Sequence, residues 1–404
     1  MIAVLLYLLF FASWFFYNKK KYGYNASSLL IGLYLASNLA LFFLCSIGYN
    51  DYSFEKVYLD ATIYHVITLW LFMMPVVRVG NKLDVGNLVI SDNLLSQVSL
   101  TLIVIGCLTI LLSIPGIKAV LSFDTFEGAR EAAIWGDEFK GFYSYGLIGY
   151  VATIGMITPA FAIFVAFYRL FIQKKADSIF YLLMITSTSG GIMNLTIAGR
   201  DGLVRWFMFV ILNIAIYRKQ FNIKIIPNFI KVSFLALTFA TIAFFIVITL
   251  SRFGEENALL SIVDYLGMSS LWFSELYKGV GTDYLFGFSS IFPILPGGMN
   301  SLDIAKMNLN FSTSSFHTFV GTFVLDVGTF FTFIMAIMFN VIYSTVSRSR
   351  NCKLHNFFSF LIFYQMIYIG VFYFVYALLA WQCSFLIIYI ISKKIYLKKL
   401  NIVR

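Results

Sequence analysis

The chain has 404 residues, of which 60% are hydrophobic and only 12% charged, with a formal net charge of +10. A globular chain is about 45–50% apolar and about 25% charged, so the composition excludes a water-soluble domain, and a mean hydropathy of +0.86 agrees. The positive balance is no nucleic-acid footprint, because the basic residues collect in short loops between apolar runs.

Those runs are about 17–25 residues long, the length of a helix across a hydrocarbon core about 30 Å thick. Backbone polar groups in lipid must be satisfied within the segment, so each run is a helix. A transmembrane barrel would show alternating segments of about 10 residues, and runs such as Leu102–Leu112 do not alternate. The expectation is an all-α polytopic membrane protein, a single transmembrane domain over 1–404. About eleven transmembrane helices fall near residues 1–17, 28–48, 60–77, 95–113, 142–168, 178–197, 202–217, 232–250, 316–343, 356–375 and 377–392. No basic residue precedes the first run, and Lys19–Lys21 follow it, the pattern of a reverse signal anchor rather than a cleavable signal peptide.

Alternate loops carry Lys19–Lys21; Arg78 and Lys82; Arg169, Lys174 and Lys175; Arg218, Lys219, Lys224 and Lys231; Arg348, Arg350 and Lys353; and Lys393, Lys394, Lys398, Lys399 and Arg404, which is 20 of the 29 basic residues. The opposite side holds 16 of the 19 acidic ones, counting Asp326 within a span. By the positive-inside rule the N-terminus is outside and the C-terminus cytoplasmic. Two outer loops, 115–141 and 251–315, are too long for turns and too short for domains. Within the second, Leu259–Leu276 mixes Val263 and Leu266 with Asp264 and Glu275, an amphipathic helix for the outer membrane surface or for the roof of a cavity. Phe292–Gly298 is a turn. No internal repeat, Walker loop, dinucleotide fingerprint or HExxH is present. The four cysteines form no CxxC pair, so neither a disulfide framework nor a zinc site is expected.

Charged residues at membrane depth are costly and mark function. Ala198-Gly199-Arg200-Asp201-Gly202 joins two apolar runs on the outer side, and Arg205 follows one turn later. Arg252 lies at the next outer interface, and His317 where the long outer loop re-enters the membrane. If these ends gather, they place three guanidinium groups and an imidazole at one depth. Planar, permanently charged guanidinium groups suit a diphosphate. The plainer alternatives are a local Arg200–Asp201 ion pair, an Arg205 that snorkels to headgroups, Arg252 as an interfacial anchor, and His317 as a satisfied helix-start residue. His65, in the outer part of the third span, reads as structural, and His355 as cytoplasmic and uninvolved. Nine positions at 100° put Asp326 on the face opposite His317 and about 15 Å deep at 1.5 Å per residue, so the two form no dyad. Gly328 shares the His317 face and suits close helix packing. Arg130 and Gly141 form an Arg-x10-Gly pair, within an acidic stretch that reads first as a solvated loop helix.

Gly199-Arg200-Asp201-Gly202-Leu203-Val204-Arg205, the large outer loop and Phe316-His317-Thr318-Phe319 through Asp326-Val327-Gly328 together resemble the Wzy-type O-antigen, or oligosaccharide repeat-unit, polymerases, relatives of the O-antigen ligases. Thr318 stands where that family usually has Asn. The resemblance implies a fold like the C-type membrane glycosyltransferases, in a bacterial inner (plasma) membrane with its site facing the periplasm or exterior. It implies transfer of a growing glycan from undecaprenyl diphosphate to a lipid-linked repeat unit, without metal or cofactor. Arg200 and Arg252 would hold the diphosphate, with Arg205 secondary and Arg130 as a loop contact. His317 would orient or deprotonate the acceptor, with Glu255 and Asp201 as rival bases and Asp201, Asp326 and Gly328 supporting. Implied partners are undecaprenyl-diphosphate-linked oligosaccharides, membrane lipid, a chain-length regulator and a flippase of the same pathway. A lipid-linked oligosaccharide flippase and an O-antigen ligase are the alternative functions.

Overall fold

The computed structural model describes residues 1–88, 90–123, 128–129, 132, 154–196, 199, 201–228, 231–232, 235–236, 239, 258–280, 316–346, 354–372 and 390. In chain order the α-helices are α1 (Ile2–Tyr22), α2 (Ala26–Ile47), α3 (Leu59–Lys82), α4 (Asp92–Leu121), α5 (Pro159–Phe167), α6 (Ser178–Thr186), α7 (Ser189–Leu195), α8 (Asp201–Ile216), α9 (Ala258–Val280), α10 (Thr318–Val346) and α11 (Leu354–Ile369). No strand occurs among the described residues. Six stretches there are long and apolar enough to cross a membrane: α1, α2, α3, α4, Ser178–Leu195 and Thr318–Ser344. The protein is thus an all-helical, multi-pass membrane protein. The expected spans near 232–250 and 377–392 lie largely outside the described residues.

The chain divides into two compact units, one of Met1–Leu83 with Leu259–Leu386, the other of Asp84–Ala258 with Ile387–Arg404. In the first, α1 and α2 form a hairpin. Gly23 turns the chain at φ 71°, and Asn25 caps α2 in a reciprocal capping box with Ser28. Such a cap satisfies two amides that a helix start otherwise leaves open. α3 packs on both helices, and the joint is closed by amides. Asn25 Nδ2 donates to Asn81 Oδ1 (2.8 Å), Asn81 Nδ2 to Asn18 Oδ1 (2.7 Å), and Asn18 Nδ2 to Asn25 Oδ1 (3.5 Å). α11 is pinned by two buried tyrosines: Tyr364 Oη donates to the Ala26 carbonyl and Tyr34 Oη to that of Ile367, each at 2.8 Å. α9 packs into this unit instead of lying on its surface. Ser37 donates to the Leu266 carbonyl (2.7 Å) and Ser270 to Asn38 (3.1 Å), and Lys278 pairs with Asp60 (2.6 Å).

In the second unit all nine residues of α5 are buried. Tyr217 donates to the Phe164 carbonyl at 2.8 Å, and Asn213 Nδ2 reaches that of Ala160 at 3.3 Å. After α5 the chain widens into one π-turn, Tyr168–Ile172. Arg169, expected in a basic loop, is buried there and pairs with Asp177. α4 runs on through Pro115 to Leu121, so the segment expected to begin the first outer loop at residue 115 starts as helix.

Candidate functional site

The site grows from one break in regular structure. α10 contains a non-helical residue, Gly328, at φ 78° and ψ 170°, a conformation essentially restricted to glycine. α10 is therefore two helices, Thr318–Val327 and Thr329–Val346. Thr318 Oγ1 lies 3.2 Å from His65 Nε2, while the Thr329 carbonyl accepts from Tyr64 Oη at 2.6 Å. Both ends of the first piece thus meet adjacent residues of α3. A straight helix of that length would end about 16 Å further along. The first piece is laid across α3, and the second runs along it, with Asn340 Nδ2 donating to the Leu71 carbonyl at 2.8 Å.

His317 stands at the mouth of this re-entry and is buried. Thr318 adopts φ 62°, rare for a β-branched residue. Its N–H donates to the Phe372 carbonyl (3.2 Å), and the next amide, of Phe319, to that of Gly370 (2.8 Å). The open amides of the α10 start are thus met by carbonyls just beyond the α11 end. The left-handed turn folds His317 back over the helix it precedes. Its Nε2 lies 3.4 Å from Thr322 Oγ1, and a Cβ on Gly321 would come within 2.5 Å of the imidazole.

Three expectations change here. His317 is not on the α10 helix, because Thr318 is left-handed, so the 100° count from His317 to Asp326 does not apply. Asp326 is fully buried, but the transverse course of its helix removes the 15 Å depth deduced from a straight one. Gly328 serves as the break between two helices, not as a packing face.

Behind His317, Thr318 continues into a buried chain. His65 is 1% exposed, and its Nδ1 lies 2.7 Å from Tyr7 Oη. Phe273 of α9 stacks on the imidazole with ring centres 3.9 Å apart. The sequence pointed to His65 only as a structural histidine. Its link to the re-entry joins positions 253 residues apart, and no local pattern announces it.

The second unit holds the Gly-Arg-Asp-Gly segment. The Gly199 amide donates to the Asn194 carbonyl at 3.0 Å, closing α7. Asp201 opens α8, and Gly202 lets α8 approach α7: a Cβ there would meet Asn194 Cβ at 2.6 Å and the Gly190 carbonyl at 2.8 Å. Arg205, 9% exposed, lines a small cavity with Met156, Pro159, Gly190, Gly202, Trp206 and Phe209. Trp206 Nε1 donates to Ser187 Oγ at 2.9 Å and fixes that wall. A buried guanidinium in an apolar wall is a stronger placement than one snorkelling to the surface. Arg200, Arg252, Arg130 and Glu255 lie outside the described residues. Among the described residues no group of three His, Cys, Asp or Glu side chains is placed to hold a metal.

No protein-family model, curated protein or solved structure matches the chain.

Proposed function

We propose that this protein polymerises surface-polysaccharide repeat units, transferring a glycan from undecaprenyl diphosphate to a lipid-linked repeat unit at the outer face of a bacterial plasma membrane. The observation that carries the reading is the turn at His317, an imidazole held at the mouth of a transverse helix inside a multi-pass bundle. The outward direction of that mouth rests on the charge asymmetry of the loops.

In this reaction the acceptor hydroxyl oxygen attacks the anomeric carbon. The bond from that carbon to the diphosphate oxygen breaks, and its electron pair departs with undecaprenyl diphosphate. The hydroxyl proton passes to a base, for which His317 is the candidate, since an imidazole exchanges protons near neutral pH. The leaving group is already anionic, so it needs fixed positive charge more than a proton. Arg200 and Arg252 are the candidates to supply it, with Arg205, one turn into α8, secondary.

The test is a glycan ladder from cells lacking the gene, complemented with wild type, Arg200→Ala, Arg252→Ala or His317→Ala. Collapse of the ladder to one repeat on the acceptor supports the polymerase. Accumulation of lipid-linked single repeats on the cytoplasmic side would make it a flippase, and long chains stranded on the carrier would make it a ligase. Labelling of single cysteines in 251–315 from outside the cell checks the orientation.

A further inference from the structure

We propose that His65 is a positioning residue for His317, acting through Thr318; this rests on the reading of His317 as the group that handles the acceptor hydroxyl. Four observations converge. Thr318 holds φ 62°, a strained conformation for a β-branched residue that persists only where the surroundings over-determine it. Its hydroxyl meets His65 Nε2 at 3.2 Å, and the other ring nitrogen meets Tyr7 Oη at 2.7 Å. Phe273 stacks flat on the ring at 3.9 Å and stops it from rotating. Finally, the turn at Thr318 is what lays His317 over Gly321 and Thr322.

The parts have separate tasks. An uncharged imidazole has one donor and one acceptor nitrogen, so the direction of the Tyr7 bond sets the direction of the Thr318 bond. A hydroxyl held from the side, with its own amide bonded to Phe372, leaves the Thr318 backbone little choice but the left-handed turn. Without His65 that hydroxyl keeps only the longer bond from the Gly321 amide, at 3.4 Å, and Thr318 relaxes toward ordinary helix. The α10 helix then extends by a residue, and His317 swings about its axis by roughly 100°. His65 touches neither donor nor acceptor and acts only on where the His317 ring is held.

The experiment uses the full-length protein in proteoliposomes with an undecaprenyl-diphosphate-linked oligosaccharide. His65→Leu and Thr318→Val should each lower kcat by about 10- to 100-fold with KM nearly unchanged, the cost of misplacing a reacting group by about 1 Å. Their kcat–pH profiles should lose the limb that His317 contributes. Thr318→Ser and His65→Gln, which keep a polar atom at the joint, should retain most activity. The deciding variant is Thr318→Gly in the His65→Leu background. Glycine takes φ 62° without strain, so the double variant should recover turnover. Wild-type kcat and pH profile in His65→Leu would overturn the proposal, as would equal loss in every variant with no recovery by glycine. If wild-type protein transfers no glycan, the reading of function fails, and the positioning is decided separately by diethyl pyrocarbonate labelling of His317 read by mass spectrometry. Faster labelling in His65→Leu, reversed in the double variant, supports it, and unchanged rates overturn it.

Discussion

Tyr64 donates its hydroxyl to the carbonyl of Thr329, the first residue after the Gly328 break, at 2.6 Å. The bond meets a carbonyl beside the break and anchors the second helix of α10 to α3 at the level where the first helix began. Gly328→Ala places a Cβ at φ 78° and should cost about 1–3 kcal/mol. Tyr64→Phe should cost about 1 kcal/mol for one lost bond. Thermal unfolding of the purified protein in detergent checks both, and a Gly328→Ala protein as stable as wild type would refute the break.

The Asn18–Asn25–Asn81 ring predicts coupled losses. Asn25→Ala removes a helix cap, worth about 1 kcal/mol, and two ring bonds besides. Asn81→Ala should destabilise as well, yet the double variant should fall short of the sum, since contacting residues in one network couple by about 0.5–3 kcal/mol. Strict additivity in a double-mutant cycle would show that the ring does not act as a unit.

Two carboxylates outside the spans should give opposite pH slopes. Lys219, bonded at 2.6 Å, holds the Asp84 carboxyl below its usual 3.8 despite some burial. Its contribution is present above that value and lost as pH falls through the lower folded pKa. Because the pair is partly exposed, it amounts to less than about 1 kcal/mol. Burial raises Asp264 on α9, with the Tyr52 hydroxyl opposing. Its contribution is present below 3.8 and lost as pH rises through the higher folded pKa. Asp264→Asn should therefore stabilise the protein at neutral pH and not in acid, whereas Asp84→Asn should destabilise it slightly at neutral pH. Unfolding temperatures across pH 3 to 7 read both signs.

Two buried arginines should behave differently. Arg169 pairs with Asp177, which also caps α6. Arg169→Met strands that partly exposed carboxylate and should cost about 1–2 kcal/mol of stability, with turnover per folded molecule unchanged. Arg205→Gln should instead lower glycan transfer while the folded yield stays high. Ladder length normalised to folded protein separates the two, and a shortened ladder for Arg169→Met would contradict this division.

Much of the membrane architecture is legible in the sequence, because a run of apolar residues long enough to span has no other stable solution. The helices α1, α2, α3 and α8 begin and end within a few residues of the runs that foretell them. Pro115 misleads, because a proline signals a helix end only when the freed carbonyl has nowhere to go, and α4 continues past it. Arg169 misleads similarly: next to Lys174 and Lys175 it looks like part of a solvated loop, and only Asp177 reveals it as a buried pair. Gly328 sits in an apolar run whose one carboxylate is Asp326, and no periodicity there separates a packing glycine from a helix break. Of the site, His317, Arg205 and Asp201 are readable as residues out of place in their surroundings. The link from Tyr7 through His65 to Thr318 is not, because it depends on three helices meeting and leaves no spacing in the chain.

The bonds from Thr318 and Phe319 to Phe372 and Gly370 also impose an order on biogenesis. The chain is made from its N-terminus, so His317 is synthesised 53 residues ahead of Gly370, whose carbonyl helps to shape its turn. Until α11 is inserted, the amides of Thr318 and Phe319 lack these acceptors, and only the contacts to His65 and Tyr64 hold the first helix of α10 against α3. The re-entry is therefore completed late, and a chain cut short before residue 370 lacks it however well its earlier helices have packed. A truncated product would thus be inserted with the turn at His317 unformed.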